Sequence, residues 1–224
     1  MSATLKYEEH KIGLSPTKTN HNRRTLHQAT VFTQPTPLDE EIALHPKKYL
    51  LSKTDPFGNI EYCNSYFCEV TGYRESEVIR KPHSIVRHPD MPAAIFELLW
   101  DHLAKRKPIP MFFKNLAKDG RYYWTFCEIS VKVNRAIDEV EGFFGYQQAA
   151  PKHALPTVEA LYQKLHAIEK ESESEASYKY LRAYLEEREQ TWEAYINEIV
   201  NTSFVKRLQR LFTNKNRNET LLTS

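Results

Sequence analysis

The ten residues His83-Ser84-Ile85-Val86-Arg87-His88-Pro89-Asp90-Met91-Pro92 bring two imidazoles, a guanidinium and a carboxylate together. Pro82 stands just before them. Proline fixes its own φ and steers the preceding residue away from helix, so the stretch reads as an ordered bend. In such a bend Arg87 pairs with a phosphate or with Asp90, and His88 donates or accepts according to protonation. Local chemistry alone favours an ion-paired loop with a helix starting at Asp90, where Asp caps and Pro92 falls in the first turn.

Several elements must position this bend. Ile95, Leu98, Leu99, Trp100 and Leu103 predict a helix from Met91 to about Lys105, with a broad apolar stripe that needs a core. Upstream, Tyr49 to Thr54 and Ile60 to Cys63 read as strands joined by the turn Asp55-Pro56-Phe57-Gly58-Asn59. Asn64 is a good helix cap, Phe67 and Val70 follow at helical spacing, and Gly72 ends that helix. Arg74 to Ile79 adds a short turn of helix. Downstream, Met111 to Leu116 and Tyr122 to Val133 read as strands around the Asp119-Gly120 hairpin signal. Val140 to Gln147 is the last strand, with Gly142 and Gly145 as bulge or close-approach points. Two strands, a block of helices and three strands imply an α+β domain: an antiparallel sheet with helices on one face and a ligand cleft between them.

Outside this domain the pattern changes. Residues 1–44 read as a mobile arm, with ordered contacts at Thr25 to Phe32 and one helical turn at Leu38, Ile42 and Leu44. The domain spans 45–149 and a Pro-containing linker 150–156. Residues 157–212 form C-terminal amphipathic helices and 213–224 a frayed tail. Val158, Leu161, Leu165 and Ile168 mark the first of these helices. Tyr178 to Phe212 lacks Gly and Pro and predicts one long helix. Either these helices pack on themselves and the domain, or they carry a signal or a dimer contact.

Composition narrows the function. The chain has 224 residues, 41% hydrophobic and 27% charged, with a formal net charge of +2. That charge is too small to argue for nucleic acid. No apolar run is long enough to cross a bilayer, and the first 22 residues lack a secretory core, so a cytoplasmic protein without membrane insertion is expected. Three cysteines (Cys63, Cys68, Cys127) without a CxxC pair argue against a disulfide framework or a structural zinc site. No phosphate loop, GxSxG or HExxH occurs, so the expectation is a protein that is not an enzyme.

Residues 49 to about 148 resemble a PAS domain, and specifically that of bacterial aerotaxis receptors. The residues carrying the resemblance are Thr54-Asp55, Gly58-Asn59-Ile60, Asn64 with Phe67, Val70-Thr71-Gly72-Tyr73, Pro82-His83, Val86 through Pro92, Phe96 with Trp100, Lys114-Asn115 and Lys118 through Trp124. The run Val-Arg-His-Pro-Asp-Met-Pro belongs to this subgroup rather than to PAS domains at large. The resemblance implies a five-stranded antiparallel sheet with helices on one face, and FAD held non-covalently in the cleft. Carried across, Arg87, His88 and Asp90 match the motif linked to flavin binding. Asn64, Trp100 and Asn115 match the other pocket positions. An indole lines the flavin rings, and the asparagine amides suit its mixed hydrogen-bonding edge. The sequence differs from the family where Pro108-Ile109-Pro110-Met111 replaces Pro-Trp-x-Gly, a change expected to narrow the pocket or alter ligand choice.

The resulting expectation is a cytoplasmic, homodimeric flavin sensor of redox state or oxygen, signalling through its helices to a chemotaxis-type or other signalling protein. A cofactor-free PAS interaction module and a haem gas sensor with His83 near the iron are the alternatives.

Overall fold

The computed structural model describes residues 34–201. The expected contacts of Thr25 to Phe32, residues 202–212 of the expected long helix and the expected tail 213–224 lie outside the described residues.

Two hairpins build the sheet. β1 (Leu50–Thr54) and β2 (Ile60–Cys63) pair antiparallel around the predicted turn. Asp55 shapes that turn by accepting the Phe57 and Asn59 N–H groups, each at 2.8 Å. β3 (Ile109–Leu116), β4 (Tyr122–Asn134) and β5 (Glu139–Ala149) form an antiparallel meander, and β5 pairs with β1. The order β2-β1-β5-β4-β3 makes one five-stranded sheet, as expected. Register slips between Lys132 and Val133, opposite Gly142. Gly142 has φ +145°, and a Cβ there would lie 1.9 Å from the Thr54 carbonyl oxygen. Only glycine lets these two strands approach so closely.

α1 (Ser65–Thr71), α2 (Glu75–Val78), a 3-10 turn (His83–Val86) and α3 (Ala93–Ala104) lie over one sheet face. Asn64 Oδ1 accepts the Phe67 N–H at 3.0 Å, and Gly72 ends α1 in the left-handed region. Two apolar clusters result. One gathers α1, α2 and the 3-10 turn around Leu50, Phe67 and Tyr123, and the other gathers α3, β3 and the C-terminal helices.

Three local expectations are corrected. Asp90 does not cap α3. The helix starts after Pro92, and Glu169, far along the chain, accepts the Ala93 and Ala94 N–H groups at 3.0 Å each. Leu38 to Ile42 is extended, not helical. It hydrogen-bonds Gly120 and Tyr122, occupying the side of β4 that β5 leaves uncovered. The long helix from Tyr178 is broken. α4 (Leu155–Glu171) and α5 (Ser174–Glu186) are followed by a turn with Glu189 at φ +52°, and α6 resumes over residues 192–201. Thr191 Oγ1 accepts the Ala194 N–H and starts the new helix. The reversal brings Tyr195 back against Tyr184, with ring centroids 5.6 Å apart. Packing, rather than a Gly or Pro, stops the helix.

The C-terminal helices close the free edge of β3. In the β3–β4 register, the carbonyls of Pro110 and Phe112 point away from β4. Trp192 Nε1 donates to Pro110 at 2.7 Å and Tyr162 Oη donates to Phe112 at 2.8 Å. Pro110 costs the sheet nothing here, since its missing N–H would face outward. This explains why β3 starts at Ile109, two residues before the expected Met111. Replacing Trp192 by Phe removes the donor but keeps the ring, and should lower unfolding stability by about 1–3 kcal/mol. Urea denaturation followed by circular dichroism measures this, and an unchanged midpoint would refute the role given to the indole.

Candidate functional site

The bend docks on the other half of the β3 edge. Arg87 pairs with Asn115 as an isolated antiparallel bridge, and the His88 N–H donates to the Lys114 carbonyl at 3.4 Å. Pro89 and Pro92 keep the segment from becoming helix, so its backbone is free to act as a short strand. Four predicted residues, Arg87, His88, Asp90 and Asn115, are thereby brought together.

Their side chains go to different faces. The Arg87 guanidinium stacks over the Phe96 ring, 3.5 Å from its centroid. His88 is buried, and its Nδ1 accepts the Asp90 N–H at 3.1 Å. Burial, reinforced by the Lys114 cation, pushes the His88 imidazole down to about 4. Asp90 is bound by Lys114 Nζ at 2.6 Å. Burial alone would raise the Asp90 carboxyl, but the Lys114 bond and charge hold it below the usual range. Lys114 also lies over the Tyr122 ring, on the sheet face away from α3.

Asn115 points the other way, toward the helices. Its Nδ2 donates to Thr125 Oγ1 at 3.1 Å, and Thr125 Oγ1 donates to Gln147 Oε1 at 3.1 Å. All three residues are buried, and they cross β3, β4 and β5 diagonally on the inner face, each two residues away from the position its neighbour pairs with. The chain leaves Asn115 Oδ1 as an open acceptor and Gln147 Nε2 as an open donor among the described residues. An acceptor and a donor on one apolar face match the alternating edge of a flavin. Apolar neighbours on that face include Ile109, Met111, Phe113 and Phe143.

Trp100 faces this region from α3. Its ring meets Phe143 edge-on at 5.5 Å and lies against Gly58 of the β1–β2 turn. Asn64 stands apart from the others. Besides capping α1, its Oδ1 accepts the Leu51 N–H and its Nδ2 donates to the Tyr49 carbonyl, so the amide ties β1 to α1. Sequence reasoning missed Thr125 and Gln147, which read as ordinary strand positions. It also missed the bond between Ser52 Oγ and His83 Nε2, 3.0 Å. Burial pushes His83 down to about 4 as well. The alternation of Tyr123, Thr125 and Cys127 places Thr125 on the core face, a signal that was readable.

A separate cavity of about 380 Å³ lies on the opposite face, between α4 and the sheet, lined in part by Lys114, Trp124, Tyr162 and His166.

A family model described as a PAS fold matches residues 60–144. The chain is similar to the aerotaxis receptor of Escherichia coli (strain K12), 34% identical over 137 residues, which cover 61% of this chain and 26% of the receptor. It is also similar to a nitrogen fixation regulatory protein of Klebsiella pneumoniae, 29% identical over 98 residues, covering 44% of this chain and 20% of that protein. The chain therefore spans about a quarter or less of the length of these relatives. A solved light-oxygen-voltage domain studied with a flavin analogue aligns with a TM-score of 0.43 at 22% identity, covering 50% of this chain and 84% of that one.

The two depressed histidines fix the sign of a pH effect. Each binds a proton near pH 6.5 when unfolded but only near 4 when folded, so the unfolded state holds more protons in between. Their stabilisation is complete above pH 6.5 and lost as pH falls toward 4, on the order of 3 kcal/mol for each. Urea denaturation from pH 7 to 4 should show this fall. His88→Asn, whose amide oxygen can still accept the Asp90 N–H, should remove roughly half of it. A wild-type slope retained in the variant would exclude His88 as a source.

Proposed function

The chain carries a PAS domain related to that of the aerotaxis receptor, and on that premise we propose that it is a sensor holding FAD between the inner sheet face and α3. It reports redox state or oxygen to a signalling partner through its C-terminal helices. The observation that carries this reading is the buried Asn115–Thr125–Gln147 chain, with one acceptor and one donor open. When bound, the flavin supplies reversible redox chemistry whose hydrogen-bonding edge differs between its two states.

The residues have distinct tasks. Asn115 Oδ1 would accept a hydrogen bond from the flavin edge, and Gln147 Nε2 would donate one to it. Thr125 fixes both amides by accepting from one and donating to the other. Trp100 and Phe143, packed edge-on against each other, would offer the rings an aromatic wall that excludes water. Arg87, held flat on Phe96, is the group assigned to the pyrophosphate. His88 and Asp90 act as positioning residues, locking the bend to Lys114 and so to β3. A change of hydrogen bonding at Asn115 acts on β3, and one at Gln147 of β5 reaches β3 through Thr125 and Asn115; the outer edge of β3 holds Tyr162 and Trp192. That is a continuous mechanical route from the ligand to the C-terminal helices.

A second reading has its own support. Ile109 and Met111 on the inner face are fully buried, which suits a filled, cofactor-free interaction module. The visible spectrum of the purified protein separates the readings. The expected result is the two-banded spectrum of oxidised flavin, bleached by dithionite, with the released cofactor chromatographing as FAD. Asn115→Ala and Gln147→Ala should each weaken flavin retention about tenfold. Colourless protein after both aerobic and anaerobic purification favours the cofactor-free module, and a Soret band the haem sensor.

A further inference from the structure

Cys63 ends β2, Cys68 lies in α1, and their Sγ atoms are 3.7 Å apart. The helix start accounts for this. With Asn64 as cap, Cys63 precedes the cap and Cys68 is the fourth helical residue. Side chains at these two positions meet across the first turn, usually as an apolar clasp. Here the clasp is made of two thiols.

We propose that Cys63 and Cys68 are a modification site: a dithiol that a peroxide converts reversibly to a disulfide, joining β2 to α1.

Cys63 is buried and Cys68 partly exposed. Burial, together with the neighbouring Cys68, pushes the Cys63 thiol up to about 12, so it stays protonated and the peroxide reacts first at Cys68. The Cys68 thiolate attacks one peroxide oxygen. An S–O bond forms, the O–O bond breaks, and the departing hydroxide leaves as water after taking a proton. The Cys63 sulfur then attacks the sulfenic sulfur. An S–S bond forms, the S–O bond breaks, and hydroxide leaves with the Cys63 proton as a second water. The two sulfurs lose two electrons and the peroxide gains them. A thiol reductant reverses the change by exchange.

The sulfurs must close from 3.7 Å to about 2.05 Å. The Asn64 amide meanwhile holds Leu51, Phe67 and Tyr49 in place, so side-chain rotation supplies the movement and the backbone is retained. Cys127, on the inner face of β4, is buried, and burial pushes its thiol up, which keeps it out of the reaction. Phe67, beside Cys68, meets His83 edge-on, so a stiffened α1 start bears on the 3-10 turn before the bend.

Thiol counting and peptide mass mapping on the full chain test this without reference to any cofactor. Reduced and denatured protein yields three thiols. After stoichiometric hydrogen peroxide on the native protein, the expected count is one. The tryptic peptide 54–74, which contains both cysteines, should be lighter by two hydrogens until dithiothreitol restores it. Cys68→Ser, which keeps the clasp, should abolish the cross-link. Cys63→Ser should leave a Cys68 sulfenic acid that dimedone traps. Survival of all three thiols, or linkage of Cys68 to a second chain, overturns the proposal. A colourless protein that still forms the cross-link refutes only the flavin reading, and a flavoprotein without the cross-link refutes only this one.

Discussion

The outer edge of β3 constrains the whole molecule. An edge strand presents backbone groups that must find partners or face water, and those of β3 are covered by other elements. Lys114 is met by the His88 backbone, Phe112 by Tyr162 and Pro110 by Trp192. A buried carbonyl left unpaired costs about 1–3 kcal/mol. This requirement fixes where the bend docks, where α4 runs and where α6 must begin. It also gives the run Pro108-Ile109-Pro110-Met111 a physical meaning. The strand is built to receive helices on its edge as well as to pack its inner face against α3.

One strand thus serves two surfaces. Residues 109, 111, 113 and 115 face the helices α1 to α3, while the outward carbonyls of 110, 112 and 114 hold the bend and the C-terminal helices. The Asn115 amide and the Lys114 carbonyl are one peptide apart. Any shift that reorients the first is felt at the second, because a packed strand moves as a unit. The bend follows the same logic from its own side. Its backbone grips the edge, Arg87 turns toward Phe96, and Asp90 turns outward to Lys114.

Local chemistry was legible in the sequence and long-range chemistry was not. The Asp55 turn, the Asn64 cap, the Gly72 terminus and the Asp119-Gly120 hairpin are each written within a few residues, and each is present. The α+β order follows from them. The cap of α3 could not be read, because Glu169 is some seventy-five residues away. The break before Thr191 could not be read either, since it depends on where Trp192 and Tyr195 pack. Leu38 to Ile42 became extended because β4 had an uncovered side, a tertiary vacancy with no trace in the segment itself. In the candidate site, Asn115 was found by resemblance. The alternation of β4 could place Thr125 on the core face, but its bonds to Asn115 and Gln147 needed the strand register, which a single sequence does not specify.

The Glu169 carboxylate has a consequence for modularity. It serves the first turn of α3 and also accepts a hydrogen bond from Ser177 of α5, so three helices share one acid. A domain of this fold could be pictured as a unit that ends at its last strand. Here α3 borrows its start from beyond that strand. Severing the chain after Ala149 would leave the Ala93 and Ala94 N–H groups without their acceptor and the β3 carbonyls without theirs. The heritable unit, the one recombination could move intact, therefore includes α4 to α6 along with the sheet.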